Sequence, residues 1–315
     1  MVNCIINSGG ENMSHRYVWL LVILLCVSIL AAYQRVVGFS YASITMANHG
    51  NYSETKVVRH PQNLVLRSAS ALVKDQETGE FLVQKQANTI LPIASITKLM
   101  TAMIVLDAQE NLQESLTIVD EDVDNFRHSQ SRLPVNTSIP RGSALLLALM
   151  ASENRAAHAL GRTYPGGLGT FVAAMNTKAL SLGLLDTHFE DPTGISSGNT
   201  STARDLARLV DAAYHYQLIR ESTTCKEATI NLGHRTRQFR NTNQLIRNPK
   251  WQIGLSKTGF IDEAGRCLVM QLQVAKRPVL IVLLDAQGKF TRYGDANRIK
   301  QWMEGSQVVQ QKNKS

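Results

Sequence analysis

The apolar and polar positions of this chain change their period several times, and each change marks an element. Residues 17–32 (YVWLLVILLCVSILAA) are apolar and uncharged, whereas residues 48–62 (NHGNYSETKVVRHPQ) are polar and without period, a linker. SASALVKD and EFLVQKQ then alternate apolar and polar residues around QETGE, with Thr78-Gly79 at the turn, which predicts a β-hairpin. LPIASITKLMTAMIVLDAQ predicts a helix starting at Ser95 whose body is apolar on every side and therefore buried. SLTIVDEDV reads as a short strand. Helical periodicity fills residues 143–185, first in SALLLALMASENRAAHALGR and then in GLGTFVAAMNTKALSLGL, where Gly183 suits a C-terminal cap. DPTGISSGNTS is a glycine-rich loop, and Thr202 with Asp205 three residues on forms a capping-box-like start to ARDLARLVDAAYHY. Strands return over residues 225–285. The clearest, RCLVMQLQVA and PVLIVLLDA, are joined near Lys276-Arg277 as an antiparallel hairpin, and the near-continuous apolar run of the second implies burial on both faces. DANRIKQWM, residues 295–303, reads as a last helix before a polar tail, residues 304–315.

Strands, helices, strands and a helix in that order predict an α/β fold. One antiparallel sheet is formed from the N- and C-terminal segments, flanked by helices, with a helical insert between them. The length of 315 residues, 44% of them hydrophobic and 18% charged, supports one large domain, placed at residues 63–303. Residues 1–47 read as a secretory leader: Arg16 precedes the apolar block, and Ser40 and Ala42, or Thr45 and Ala47, follow at the small-residue spacing of a cleavage site. An uncleaved anchor is the alternative, since the block is only slightly shorter than a ~20-residue span. Met13 offers a second start with a more ordinary charged leader.

The net charge is +8, of which Arg16, Arg35 and Glu11 account for +1, leaving +7 on the exported part. That charge suits a polyanionic envelope. Nucleic acid is the rival partner, but no Lys/Arg run, helix-turn-helix signature or aromatic-basic interleaving concentrates the charge, which argues against it. Cys4 and Cys26 lie in the leader, and Cys225 and Cys267, too few for a disulfide framework, are expected as two separate buried thiols. Asp120, Asp122 and Asp124 have the spacing of a calcium loop, yet Asn125 stands where a glycine is needed and Ser131 where the closing glutamate belongs, so a solvated acidic turn is expected. No histidine pair with a glutamate makes a zinc motif, His158 reads as a surface or interface residue, and neither a metal nor a cofactor is expected.

The chemistry begins at Ser95 and Lys98, three apart and so on one helical face, as a serine nucleophile and its base must be. A free lysine, with a pKa of ~10.4, is no base near neutrality; desolvation, a second cation and the positive end of a helix all favour the neutral amine. Ser-x-x-Lys alone is weak, because Ser53-Glu54-Thr55-Lys56 matches it in the polar linker with no apolar helix behind it. Two further motifs follow in order. Ser152-Glu153-Asn154 comes after an apolar run, and its outer residues share a direction only if the helix breaks there; Ser197-Gly198-Asn199 shows that such a triplet also arises by accident. Lys257-Thr258-Gly259 falls on an expected strand.

Ser-x-x-Lys, Ser-x-Asn and Lys-Thr-Gly resemble the signature of penicillin-binding proteins and class A β-lactamases. PIASITKLMTAM, LLLALMASENRAA, FVAAMNTKALSLGL, DPTGISSGNTSTARDL, FRNTNQL and SKTGFIDEAGRCLVM look more closely like the D-alanyl-D-alanine endopeptidases among the low-molecular-mass penicillin-binding proteins, over roughly residues 67–303. The resemblance implies a β-lactamase/transpeptidase-like fold and a periplasmic serine peptidase that hydrolyses D-alanyl cross-links in peptidoglycan. It implies Ser95 as nucleophile, Lys98 as its base, Ser152 as the relay to the leaving amine and Asn154 as the group orienting Lys98 and the substrate amide. Lys257 would add positive charge, Thr258 would bond the substrate carboxylate, Gly259 would let the strand approach the substrate backbone, and the N–H groups of Ser95 and Phe260 would hold the oxyanion. Stem peptides are the implied substrate, β-lactams the covalent inhibitors, and other wall-remodelling enzymes the candidate partners. Three alternatives stay open: a D-Ala-D-Ala carboxypeptidase, a β-lactamase using Glu190 or Asp191 to activate water, and a non-catalytic β-lactam sensor or wall-binding module.

Overall fold

A computed structural model describes residues 64–233 and 235–312, with side chains to residue 305; the leader and linker lie outside the described residues. The expected hairpin is β1 (Ser70–Asp75) and β2 (Phe81–Lys85), turning at Gly79, whose φ of +75 suits a residue without Cβ. After β3 (Leu91–Pro92) a 3₁₀ turn, Ala94–Thr97, leads into α1 (Lys98–Asp107). Then come β4 (Ser115–Thr117), β5 (Ser138–Pro140), α2 (Arg141–Leu146), α3 (Asn154–Arg162) and α4 (Gly167–Ser181). The second half holds β6 (Thr200–Ser201), α5 (Ala203–Tyr214), α6 (Gln217–Thr224), the hairpin β7 (Glu227–Asn231) and β8 (Thr236–Arg240), then β9 (Gln252–Ile261), β10 (Gly265–Val274), β11 (Arg277–Ala286) and α7 (Thr291–Lys312).

The main sheet is antiparallel in the order β2-β1-β11-β10-β9, so both chain ends build it and the helices between them form the insert. The apolar run of β11 divides by parity. Val279, Ile281 and Leu283 face a core completed by Tyr293, Ala296, Ile299 and Met303 of α7, whereas Leu280, Val282 and Leu284 join the core around α1. Such a strand carries two hydrophobic faces, which is why it shows no alternation. Helix α1 is the post of the insert: Leu99 to Val105 are all buried, and α3, α4 and α5 pack around it.

Three segments differ from expectation. Helical periodicity continues through residues 143–185, but the helix itself breaks at Ser152. The last helix is longer at both ends than residues 295–303, running from Thr291 to Lys312, and its added first turn buries Arg292 and Tyr293. The acidic turn is not fully solvated either: Asp122 is buried, its carboxylate taking Nε and Nη2 of Arg162 (both 3.0 Å) and lying 2.8 Å from His158 Nδ1. Burial alone would raise the Asp122 pKa, but the bonds from His158 and Arg162 outweigh it and hold the carboxyl below its ordinary range. Cys225 is half-buried, Cys267 is buried, and both thiols are free.

Asp295 fastens the segment before β1 to α7. Its buried carboxylate accepts from the N–H groups of Arg67 (3.0 Å) and Ser68 (2.7 Å) and from the Ser68 hydroxyl (2.6 Å), and it pairs with Arg298. Burial opposes the charge, yet these donors, led by Ser68, depress the pKa. A depressed carboxyl stabilises the fold above its unfolded pKa and loses that contribution as pH falls through the folded value. Asp295→Ala is expected to lower unfolding free energy by about 3 kcal/mol at pH 7 in urea titrations, the deficit shrinking as the pH falls below about 4.

Candidate active site

Ser95 sits on a turn that the neighbouring loop clamps. Ala94 has a φ of +48, the Thr97 hydroxyl donates to the Ala94 carbonyl (2.8 Å), and Asn199 Nδ2 donates to Thr97 Oγ1 (3.0 Å). The loop that supplies Asn199 is folded around the Asp191 carboxylate, which accepts from the N–H groups of Thr193 (2.6 Å), Gly194 (2.8 Å) and Ser196 (2.9 Å). Gly194 lies so close that a Cβ there would be 2.0 Å from the Ala94 carbonyl oxygen, and its φ of +78 also favours glycine. Sequence reasoning weighed Asp191 only as a water-activating group. Its Asp-x-Thr-Gly spacing is the signal of an Asx-type turn and was open to reading as a scaffold.

Lys98 is fully buried, and its Nζ lies 2.5 Å from the Thr193 carbonyl, 2.7 Å from Asn154 Oδ1 and 2.8 Å from Ser95 Oγ. The carbonyl and the amide oxygen accept only, so they take two N–H bonds in either charge state. The remaining position faces Ser95, donating to it as ammonium and offering it a lone pair as amine. Burial lowers the Lys98 pKa to about 7, against the attraction of Asp191 and Glu153, which raises it.

The Ser152-Glu153-Asn154 triplet has the broken geometry its spacing demands. A widened π turn, Leu147–Ala151, ends at Ser152 in the left-handed conformation (φ 59, ψ 32), and Asn154 restarts the chain as α3. Asn154 Nδ2 donates to Ser129 Oγ (2.9 Å), which turns Oδ1 toward Lys98. Glu153 is buried and accepts from the Ser131 hydroxyl (2.6 Å) and the Arg132 N–H (3.0 Å), pinning the preceding loop to the site. Ser129 carried no motif in the sequence, and Thr193, inside the DPTGISSGNTSTARDL stretch, was given no role.

On β9, buried Lys257 donates to Ser152 Oγ (2.8 Å) and the Thr258 carbonyl (3.0 Å), and the Thr258 hydroxyl donates to Thr242 Oγ1 (2.7 Å). Burial, then the charges of Lys98 and Arg292, push the Lys257 pKa well below its ordinary value. Arg292, unmarked in the sequence reading, is buried on α7 and donates to the carbonyls of Gly259 (2.9 Å) and Cys267 (3.1 Å), fixing β9 against β10. A Cβ on Gly259 would stand 2.8 Å from the Ile93 carbonyl and 3.3 Å from the Ser95 nitrogen. The close approach this glycine permits in the structure is therefore to the Ser95 turn. Phe260, next along the strand, is half-exposed beneath the Arg266 guanidinium. All the motif residues expected from the sequence thus converge, while Ser53 and Lys56 lie outside the described residues.

This constellation can do acyl transfer: a serine against an amine poised near neutrality, and a second serine against a second lysine, side by side. Comparison with known proteins agrees. The chain matches the peptidase S11 family, described as D-alanyl-D-alanine carboxypeptidase, over residues 55–288. The chain belongs to the peptidase S11 family. It is 47% identical over 271 residues to a D-alanyl-D-alanine endopeptidase of Pseudomonas aeruginosa, covering 85% of this chain and 87% of that one. A D-alanyl-D-alanine endopeptidase of Escherichia coli is 45% identical over 246 residues, 78% of this chain and 79% of the other. Among solved structures, the Streptomyces K15 DD-transpeptidase superposes with a TM-score of 0.71 at 29% identity, covering 76% of this chain and 97% of that one. The fold of this S11 peptidase is the α/β, transpeptidase-like one expected.

The S11 site leaves little for a hydrolytic carboxylate to do. Asp191 is engaged by its own loop, and Glu190 is bonded to the Ser196 hydroxyl at the surface. Among the described residues no group of three His, Cys, Asp or Glu side chains is arranged to hold a metal. A cleft of about 540 Å³ opens beside Asn154, Asp191 and Thr193, with Phe126 and Ile195 in its walls. Because the Ser95 turn rests on Gly194, Gly194→Ala is expected to slow labelling of Ser95 by a fluorescent penicillin on the order of 10²-fold, the usual effect of misplacing a reacting group by about 1 Å. Gel quantification of the acylated protein over time measures it.

Proposed function

We propose that this S11 peptidase is a serine DD-endopeptidase that hydrolyses D-alanyl cross-links of peptidoglycan through a Ser95 acyl-enzyme, outside the cytoplasmic membrane. The observation that carries the reading is Lys98: a buried amine with a pKa of about 7, 2.8 Å from Ser95 Oγ, with its other bonds fixed by Asn154 and Thr193. Two relatives at 47% and 45% identity named D-alanyl-D-alanine endopeptidase favour this bond over a terminal D-alanine. Residues 63–303 form the peptidase unit, preceded by a secretory leader and a linker; no helix among the described residues is long and apolar enough to cross a membrane.

In this reading the substrate lies along β9, the outermost strand of the sheet, as an added strand. The Thr258 hydroxyl, now on Thr242, turns to the carboxylate beside the scissile bond, and Lys257 supplies the attracting charge. Ser95 Oγ attacks the D-alanyl carbonyl carbon and its proton passes to Lys98 Nζ. The oxyanion is held by the N–H groups of Ser95 and Phe260, an interaction often worth about 3 kcal/mol per donor. Ser152, which accepts from Lys257, delivers a proton to the departing amine as the C–N bond breaks, and the proton held by Lys98 replaces it, so that Lys98 is again a neutral amine. Water then attacks the ester, Lys98 takes its proton and returns it to Ser95 Oγ as the ester C–O bond breaks, releasing the shortened stem and free Ser95. A penicillin enters by the same attack, its β-lactam carbonyl in place of the D-alanyl one.

Purified enzyme is expected to convert cross-linked muropeptide dimers to monomers on reversed-phase chromatography, and Ser95→Ala to abolish both this and labelling by penicillin. Loss of terminal D-alanine from pentapeptides with dimers intact would move the assignment to carboxypeptidase; labelling without cleavage would leave a sensor. The Lys98 pKa gives a second expectation. Attack needs the neutral amine, so penicillin acylation should rise about tenfold per pH unit below 7 and level off above it. A stopped-flow profile flat from pH 5 to 8 would refute Lys98 as the base.

A further inference from the structure

Beside the Ser152 side of the site lies a concentration of arginines that the reaction described above does not use. Arg132 follows Ser131 in the loop pinned to Glu153, and its own N–H donates to Glu153 Oε1 (3.0 Å), one residue on from Ser152. Arg237 on β8 donates from Nη1 to the Arg132 carbonyl (3.1 Å), and Arg132 Nη1 returns a long bond to the Gln238 carbonyl (3.4 Å). The two side chains therefore come from segments laced together backbone to guanidinium. Arg132 is exposed and Arg237 half-buried, and Arg235 and Arg240 are exposed on the same hairpin. Among the described residues no carboxylate forms a salt bridge with Arg132, Arg235 or Arg237, while Arg240 has Glu227 at 3.6 Å.

The position of this rim is set by the chain. Strand β8 runs into Thr242, whose N–H donates to the Met150 carbonyl (3.1 Å) and whose hydroxyl accepts from Thr258 (2.7 Å). The hairpin thus borders Ser152 and Thr258, the two residues on which the leaving half of the substrate rests. A released D-alanine is too small to extend beyond them. The leaving half of a cross-link is a whole second peptide, and stem peptides carry free carboxylates.

We propose that Arg132 and Arg237 form an anion-binding rim that takes carboxylates of the second stem peptide and so directs this enzyme to cross-links. The proposal rests on the endopeptidase reading. Unpaired guanidiniums at a half-solvated rim gain a carboxylate without first breaking an ion pair, and Arg presents its donors as a fork matched to that group. The rim binds substrate and leaves the chemistry at Ser95 to other groups. Its contribution is expected in KM and in salt sensitivity more than in kcat.

The test is a charge-neutralised double variant, Arg132→Gln with Arg237→Gln, which keeps a side-chain donor at each position. The ratio of dimer cleavage to penicillin acylation, both as second-order rate constants, is expected to fall roughly tenfold, the scale of two partly exposed ion pairs. Wild type should lose the same factor on a dimer in which the leaving-stem carboxylates other than the one beside the scissile bond are amidated, and the variant should lose nothing further on that dimer. An unchanged ratio would overturn the rim while leaving the endopeptidase standing; wild type that leaves dimers intact would remove the endopeptidase reading itself. Equal losses of cleavage and acylation would show that the arginines only anchor the loop, and would also overturn the proposal.

Discussion

The structure turns on one amine held out of water. An ammonium at the Lys98 position has three acceptors and no carboxylate in direct contact, so burial dominates and its pKa falls to about 7. Nearly every oddity around it serves that condition. The Asp191 loop brings the Thr193 carbonyl to Nζ, Ser129 turns the Asn154 amide, and the apolar body of α1 removes solvent from behind. Asp191 and Glu153 are close enough to pull the pKa up, yet the Asp191 carboxylate is occupied by donors of its own loop and that of Glu153 by the Ser131 hydroxyl and the Arg132 N–H. The site therefore stabilises an amine with dipoles and withholds the charge that would make it a permanent ammonium.

Close packing of backbone on backbone is the second requirement. Ser95 can be held against β9 only because Gly259 lacks a Cβ, and against the following loop only because Gly194 does. Ser152 carries the opposite kind of cost, a left-handed conformation of a residue with a side chain, typically of order 1–3 kcal/mol, sustained by the anchored Glu153 beside it. These strained and crowded points lie in the three motifs and the loop that clamps them, where positioning of reacting atoms outweighs local stability.

The architecture was largely legible in the pattern of side chains. The unbroken apolar run of β11 announced two cores, and the period-two segments at both chain ends announced one sheet. The three motifs were legible too, because each is a set of specific residue types at fixed spacing, and the structure brings them together. What escaped is what acts through the backbone or through distant pairing. The Thr193 contribution is a carbonyl, which any residue supplies. Ser129 and Arg292 reach the site from loops and helices whose packing no local period encodes, and the extent of α7 follows no apolar stripe. Asp122, read as solvated by its acidic neighbours, is buried by Arg162 and His158, residues some forty positions away.

Two lysines this near each other would repel as ammoniums, and the repulsion is part of the arrangement. The charge of Lys98 is among the causes that lower the Lys257 pKa, after burial and together with Arg292. Coulomb coupling is mutual, so protonating either amine disfavours protonating the other. In the reaction proposed, when Lys98 takes the Ser95 proton the pressure on the Lys257–Ser152 pair to release one rises at that moment, and Ser152 is where the departing amine would need it. On that proposal, proton uptake at one side of the scissile bond is tied to proton delivery at the other through two buried amines.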